Sequence, residues 1–378
     1  MKVYEYEKLE KATENFSQSR LIGKGSHGCV YKGILEDGEI IAVKKQSLGL
    51  QKIQDNSKLE NEVSVLSSLS KNSFIVNFLG MSHHDDDSSK KETFLIMEYL
   101  PNGTLYQMLH AQNNILPNWP KRAQIAIQVS KSIQFLHHAK PNSIVHRDIK
   151  SANILFDSNW NAKLADLGLA LRMKNDCEKH DEDDSPSHPS NSVTRPAGTI
   201  GYLDPAYTKP SKLSTKNDVF SFGVLLFEIM SSRKAIDVSK SPVSIVDWAT
   251  KLIKEGRALE ICDKRMHVPW YMEATIKNML SIATRCVSQK KIARPSIEEV
   301  VREMENVIIE PIKYPLWNIL RGLTLLKRKR KRCKKKCSII TTTNVTKTCA
   351  QHEGKVEIDM SSRRKLLIRE ILADKFTD

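Results

Sequence analysis

The chain has 378 residues and a net charge of +15, with 40% apolar and 27% charged residues, a composition usual for a globular protein with room for one large domain or two lobes plus a tail. No stretch approaches the ~18 consecutive apolar residues of a membrane-spanning helix. The start, Met1-Lys2-Val3-Tyr4-Glu5-Tyr6, is too polar for a secretory leader, and residue 2 is not the glycine that myristoylation requires. Seven cysteines, at 29, 177, 262, 286, 333, 337 and 349, lack zinc-finger spacing; Cys333 and Cys337 have no second pair nearby, which reads as reduced thiols of an intracellular protein. The basicity is local. Residues 321–336 hold ten Lys or Arg and no acid, and without them the net charge falls to +5.

In chain order, residues 1–20 read as a polar helical lead-in, with Leu9, Ala12, Thr13 and Phe16 at helical spacing. From 21 to about 100, β-rich runs alternate with turns: Cys29–Lys32, the Asp37-Gly38 hairpin signal, then Ile40–Val43. One helix interrupts them, Lys58–Leu69, with Leu59, Val63, Leu66 and Leu69 on one stripe. From about 101 to 310 the pattern is helical, including Arg122–His137, Asp218–Met230, Ile245–Glu255, Glu273–Ser288 and Ser296–Val307. A β-rich small lobe before a helical large lobe is an α+β, two-lobed arrangement. His83–Lys91 and the acidic Asn175–Asn191 read as disordered inserts, because neither can bury enough apolar surface to fold. Residues 311–378 read as a basic, largely disordered extension.

Four motifs carry chemistry. Gly23-Lys24-Gly25-Ser26-His27-Gly28-Cys29-Val30 fits G-x-G-x-x-G-x-V, which dinucleotide-binding turns share in part. Here a strand and an Asp-Gly turn follow, not a helix, so the glycines belong to a strand-turn-strand where a side chain would keep the backbone from phosphates. A ligand-free glycine hairpin remains the alternative on this motif alone. Ile41-Ala42-Val43-Lys44 ends an apolar strand on a lysine that is costly to bury unpaired, and Glu62 on the following helix is its candidate partner. In His146-Arg147-Asp148-Ile149-Lys150-Ser151-Ala152-Asn153, Asp148 suits proton acceptance from a hydroxyl, Lys150 suits a phosphate, and Asn153 can ligate Mg²⁺. Asp166-Leu167-Gly168 adds a charged Mg²⁺ ligand in Asp166.

In combination these motifs resemble the protein-kinase superfamily over residues 4–310. Tyr6–Ser17, Met97–Leu105, Gly198–Tyr202 and Asp218–Gly223 narrow the resemblance to plant receptor-like kinases of the Pelle/IRAK group, and the long activation-segment insert to its crinkly-type members. The resemblance implies a two-lobed kinase domain over 21–310 and transfer of the γ-phosphate of MgATP to Ser or Thr of protein substrates. It implies that Ile22, Val30 and Ala42 cover the adenine, that Gly23, Gly25 and Gly28 arch over the phosphates, and that Lys44 and Glu62 pair beside them. Met97 is then the gatekeeper, with Glu98, Tyr99 and Leu100 the hinge; Lys150 marks serine/threonine specificity, and Asp218 anchors the catalytic loop. Arg147 implies activation by phosphate on segment 166–207, with Thr194 and Thr199 the candidate sites; Thr199 alternatively serves the substrate site beside Asp148 and Lys150.

Three positions depart from the family pattern: Leu167 for Phe, Phe220 for Trp, and Ala206 for the Glu that pairs with an arginine matching Arg294. The last leaves Arg294 to find another partner, such as Asp204, and is the one feature favouring a non-catalytic scaffold. In the tail, Trp317, Leu320, Leu323, Leu325 and Leu326 lead into the basic run, which fits attachment to an anionic membrane with S-acylation at Cys333 or Cys337. A nuclear address and a solvated charge run are the alternatives. The tail lacks interleaved aromatics, so no specific nucleic acid is expected. The implied setting is cytoplasmic, peripheral at the plasma membrane, below an upstream receptor kinase.

Overall fold

Continuous apolar runs in the central strands set the small lobe, because those strands are buried on both faces. A computed structural model of the chain describes residues 2–25, 28–46, 57–85, 91–111, 116–173, 196–208 and 213–306, all within one unit, residues 1–318. Thr194, the acidic insert and the basic extension lie outside the described residues. Strands β1 (Leu21–Gly25), β2 (Gly28–Ile34), β3 (Ile40–Lys45), β4 (Phe78–Asp85) and β5 (Lys91–Glu98) form an antiparallel sheet of order β1-β2-β3-β5-β4. The two-residue period splits the central strands between two cores. Ile41, Val43, Phe94 and Ile96 face one side, and Ala42, Leu95 and Met97 face the other, toward α2 (Ser57–Ser68).

The outer face is closed by the lead-in, which is more than a preface to the sheet. Helix α1 (Tyr6–Ala12) buries Leu9 completely. Helical spacing carries Phe16 onto the same stripe, but the helix ends at Ala12 and Glu14, Asn15 and Phe16 take φ of 53°, 56° and 53°. That left-handed turn swings Phe16 onto Phe94, with ring centroids 5.4 Å apart. The buried Thr13 side chain stabilises the turn, donating to the Leu9 carbonyl at 2.7 Å and accepting from the Phe16 amide at 3.2 Å. The first expected insert also begins later than its polarity suggests. His83, His84 and Asp85 pair with Thr93, Glu92 and Lys91, and Tyr6 stacks on His84 at 3.9 Å.

The large lobe is built on α3 (Leu105–His110), α4 (Trp119–His137), α5 (Lys216–Ser231), α6 (Ile245–Lys254), α7 (Glu273–Cys286) and α8 over residues 297–306, close to the expected helices. Helix α5 is buried from Asn217 to Met230 on every side, with apolar residues over most of its surface and its polar residues Asn217, Asp218, Ser221 and Glu228 hydrogen-bonded. Asn118 and Ser244 cap α4 and α6 by accepting backbone amides. Two small two-stranded antiparallel sheets, β6 (Ser143–Val145) with β9 (Leu171–Met173) and the hairpin β7 (Ile154–Phe156) with β8 (Ala162–Leu164), carry the loops that meet the small lobe.

Candidate active site

The cleft between the lobes encloses about 310 Å³. It is lined by Ile22, Gly23, Gly25, Gly28, Val30, Ala42, Lys44, Glu62, Met97, Glu98, Leu100, Lys150, Asn153 and Asp166. Sequence reasoning missed Val76, Leu155 and Ala165, which line it too. Leu155 lies in a short strand, and Val76 and Ala165 lie outside the strands, just before β4 and just after β8; a lone apolar residue marks each, a signal shared with much of the core. A larger cavity of about 520 Å³, among Phe74, α4 and α8, contains none of these residues.

Gly28 is required for an internal reason rather than by a ligand. Its φ is +130°, and a Cβ there would lie 2.3 Å from the Lys45 carbonyl oxygen of β3. At Gly25 an added Cβ meets nothing within 4 Å, so that position fits the expected role of leaving room for a ligand.

Strand β3 delivers Lys44 to the cleft with 6% of its surface exposed. Its Nζ donates to Glu62 Oε2 at 2.6 Å and to Asp166 Oδ1 at 2.8 Å. Burial alone would pull the lysine pKa down, but the two carboxylates outweigh it and hold the ammonium above its usual value. Burial pushes the Glu62 carboxyl up, and Lys44 opposes that shift without cancelling it. Asp166 adopts a left-handed conformation (φ 64°, ψ 67°), and the amide of the fully buried Leu167 donates to Glu62 Oε1 at 3.3 Å. Leu167 therefore packs in the core as the expected apolar substitute.

The loop after β6 is anchored from α5. Asp218 accepts the amides of His146 at 2.8 Å and Arg147 at 2.9 Å, and lies 2.9 Å from His137 Nε2. Full burial would raise its carboxyl, yet the hydrogen bond from His137 and the backbone amides hold it below the usual range. These bonds fix Arg147 at φ 71°, and its guanidinium donates to the Leu169 carbonyl and the Tyr207 hydroxyl.

Asp148 then sits 3% exposed, with each carboxylate oxygen engaged. Thr199 Oγ1 donates to Oδ1 at 2.6 Å, and Lys150 Nζ donates to Oδ2 at 2.7 Å and to Thr199 Oγ1 at 2.9 Å. Of the two expectations for Thr199, the described geometry is that of a residue bonded to Asp148 and Lys150. Gly198, at φ +139°, permits this approach, since a Cβ there would fall 2.7 Å from the Arg147 carbonyl. Asn153 Nδ2 donates to the Asp148 carbonyl at 2.9 Å and to Asp148 Oδ2 at 3.2 Å. Asn153 and Asp166 lie side by side at the open end of the β7–β8 hairpin, where the Ala165 amide donates to the Asn153 carbonyl. A hidden brace was not legible in the motifs: Glu228 of α5 accepts from Tyr202 and from Ser151, and pairs with His110 at 2.7 Å.

Arg294 is fully buried and paired. It makes a two-pronged ion pair with Asp204, NH2 to Oδ1 at 2.8 Å, donates to the Ser288 carbonyl, and stacks over Phe220 at 4.9 Å. Phe220 thus supplies an aromatic face in place of the usual Trp.

Comparison with known proteins agrees with this geometry. The chain is similar to a serine/threonine-protein kinase-like protein of Arabidopsis thaliana, 44% identical over 350 residues that cover 88% of this chain and 96% of the other. It is 40% identical to a second protein so described, over 85% of this chain and 66% of that one. Thirty-seven per cent identity links it to a proline-rich receptor-like protein kinase of the same plant, of which it spans 41%. The protein kinase domain matches residues 16–304, a span that contains both lobes and the whole cleft, and the chain belongs to that family.

Proposed function

We propose that this protein is a serine/threonine kinase that transfers the γ-phosphate of ATP to hydroxyls of protein substrates in a signalling pathway. The observation that carries the reading is the joining of two constellations across one cleft: Lys44 between Glu62 and Asp166, and Asp148 bridged to Lys150 and Thr199. The apolar walls, Ile22, Val30, Ala42 and Leu155, suit a purine, and Glu98 and Leu100 of the hinge line the cleft beside them. Lys44 meets phosphate oxygens with a charge fixed in place before binding. Asp148 accepts the proton of the incoming hydroxyl, while Lys150 offsets negative charge building beside it.

Mg²⁺ fits the donors present, because Asn153 Oδ1 and the Asp166 carboxylate are hard oxygen ligands of residues that both line the cleft. When bound, the ion would neutralise phosphate charge. Among the described residues no helix is long and apolar enough to cross a membrane. A cytoplasmic kinase held at the plasma membrane by its basic extension, acting below a receptor kinase and allied to the crinkly-type group, is the setting this reading favours. The Asp204–Arg294 pair removes the argument from Ala206 for a non-catalytic scaffold. The test is transfer of radiolabelled phosphate from ATP to a generic Ser/Thr protein, wild type beside Asp148→Asn. Equal labelling by both would overturn the reading.

A further inference from the structure

One side chain outside the recognised motifs ties the two halves of the phosphate end of the cleft together. Asn61 precedes Glu62 on α2, and its Nδ2 donates to the carbonyls of Ala170 at 2.9 Å, Gly168 at 3.1 Å and Leu167 at 3.4 Å. Those carbonyls belong to the single turn that follows Asp166. Its neighbour Glu62 takes the amide of the same turn, from Leu167. Residues 61 and 62 therefore engage the donors and the acceptors of one turn together. The approach is close: a Cβ on Gly168 would sit 3.3 Å from the Lys58 carbonyl of the first turn of α2. Further along, Arg172 donates to the Ser64 carbonyl at 2.9 Å and to Ser68 Oγ at 2.8 Å, so α2 is clasped along most of its length.

We infer that Asn61 is a positioning residue that couples the placement of α2, and with it the Lys44–Glu62 pair, to the conformation of Asp166. The physical argument is one of charge and polarity. Three backbone carbonyls converge on one point, and only a donor can occupy it; an acceptor there would repel the turn. If the turn moves, the left-handed Asp166 loses its constraint and its carboxylate leaves Lys44. If α2 swings out, Glu62 follows. One amide thus reinforces, from the carbonyl side of the turn, the link that Glu62 makes to the Leu167 amide and that Lys44 makes between Glu62 and Asp166. The inference rests on the reading of Asp166 as a metal-side residue, and its test separates the two.

The experiment compares the full-length wild type with Asn61→Asp, which keeps the shape and replaces the donor by an acceptor, with Asn61→Ala, and with a control, Glu60→Ala, on the exposed side of the same helix. ATP affinity is measured by calorimetry with Mg²⁺ and in EDTA, and amide hydrogen exchange is followed at Leu167–Ala170. We expect Asn61→Asp to lose about tenfold of the affinity that Mg²⁺ adds, since disturbing a residue that orients a metal ligand typically costs this much. Glu60→Ala should match the wild type with and without Mg²⁺, and Asn61→Asp should lose less affinity in EDTA than with Mg²⁺, because the adenine walls are untouched and only the Lys44 contact to phosphate is disturbed there. Exchange at Leu167 should quicken in Asn61→Asp, and a merely structural loss would lower the amount of competent protein without changing the Mg²⁺ dependence of affinity. The inference is overturned if Asn61→Asp retains the full Mg²⁺ gain and the wild-type protection of Leu167. If the wild type itself shows no Mg²⁺ gain, the metal-side reading fails, and the exchange at Leu167 alone decides whether Asn61 couples α2 to the turn.

Discussion

Replacing Asp204 tests how the end of the activation segment is secured. Both side chains of the Asp204–Arg294 pair are 0% exposed. Asp204 accepts from both terminal nitrogens of Arg294, from Asn217 Nδ2 at 2.8 Å and from the Ala206 amide at 2.9 Å. A carboxylate offers about four lone-pair sites, so its capacity is filled. Asp204→Ala leaves a buried guanidinium without its anion, a loss of roughly 3–5 kcal/mol. For a domain of this size each kcal/mol moves the melting temperature by about 2–4 °C, so the variant should melt roughly 6–20 °C lower by calorimetry. Asp204→Asn keeps the shape, halves the acceptors and removes the charge, and should fall nearly as far. In an Arg294→Met background the same Asp204→Ala change should cost much less, because no unpaired cation is created. Ala206→Glu alone should not raise the melting temperature, since Arg294 is already satisfied. Were Asp204→Ala to melt within about 1 °C of wild type, or were the two substitutions simply additive, the pair would not be what holds this segment.

Lys44→Met and Asp166→Asn should each lower phosphate transfer by at least about a hundredfold, measured with radiolabelled ATP, because each removes a charge fixed at the phosphate end of the cleft. Thr199→Val removes the hydroxyl that bridges Asp148 and Lys150, and should reduce turnover about tenfold or more; Thr199→Glu should not activate, since it would set a second carboxylate beside Asp148. Burial pushes the thiols of Cys262 and Cys286 up to about 11 and about 12, so at pH 8 both stay protonated and should resist iodoacetamide until the protein is unfolded, as mass spectrometry of labelled peptides would reveal. Neutralising Lys327–Lys336 should shift the protein from the membrane to the soluble fraction of a cell lysate; a fusion that is nuclear before the change and cytosolic after it would establish the address reading instead.

The glycine strand-turn-strand, Lys44, Asp148, Asn153 and Asp166 were legible because each lies in a short run whose residue types and spacing are tied to one loop. The two-lobed order was legible for a related reason: β-rich runs separated by turns give way to helical spacing near residue 100, whereas β3 and β5 are continuous apolar runs whose residues only the fold divides between two cores. The sequence also raised the right question at Ala206, by showing a missing carboxylate. It could suggest Asp204 but not choose it, because 90 residues separate Asp204 from Arg294 and only the fold brings them together. The same holds for Asn61 over the turn after Asp166, and for Glu228 beneath Ser151 and Tyr202, whose partners lie on other elements. The left-handed turn at Glu14–Phe16 is a further case, since helical spacing alone carries Phe16 onward along α1. Local chemistry and periodicity are properties of neighbouring residues and can be read along the chain. A buried polar group takes whichever partner the packed elements bring within hydrogen-bond reach, and that is decided only in three dimensions.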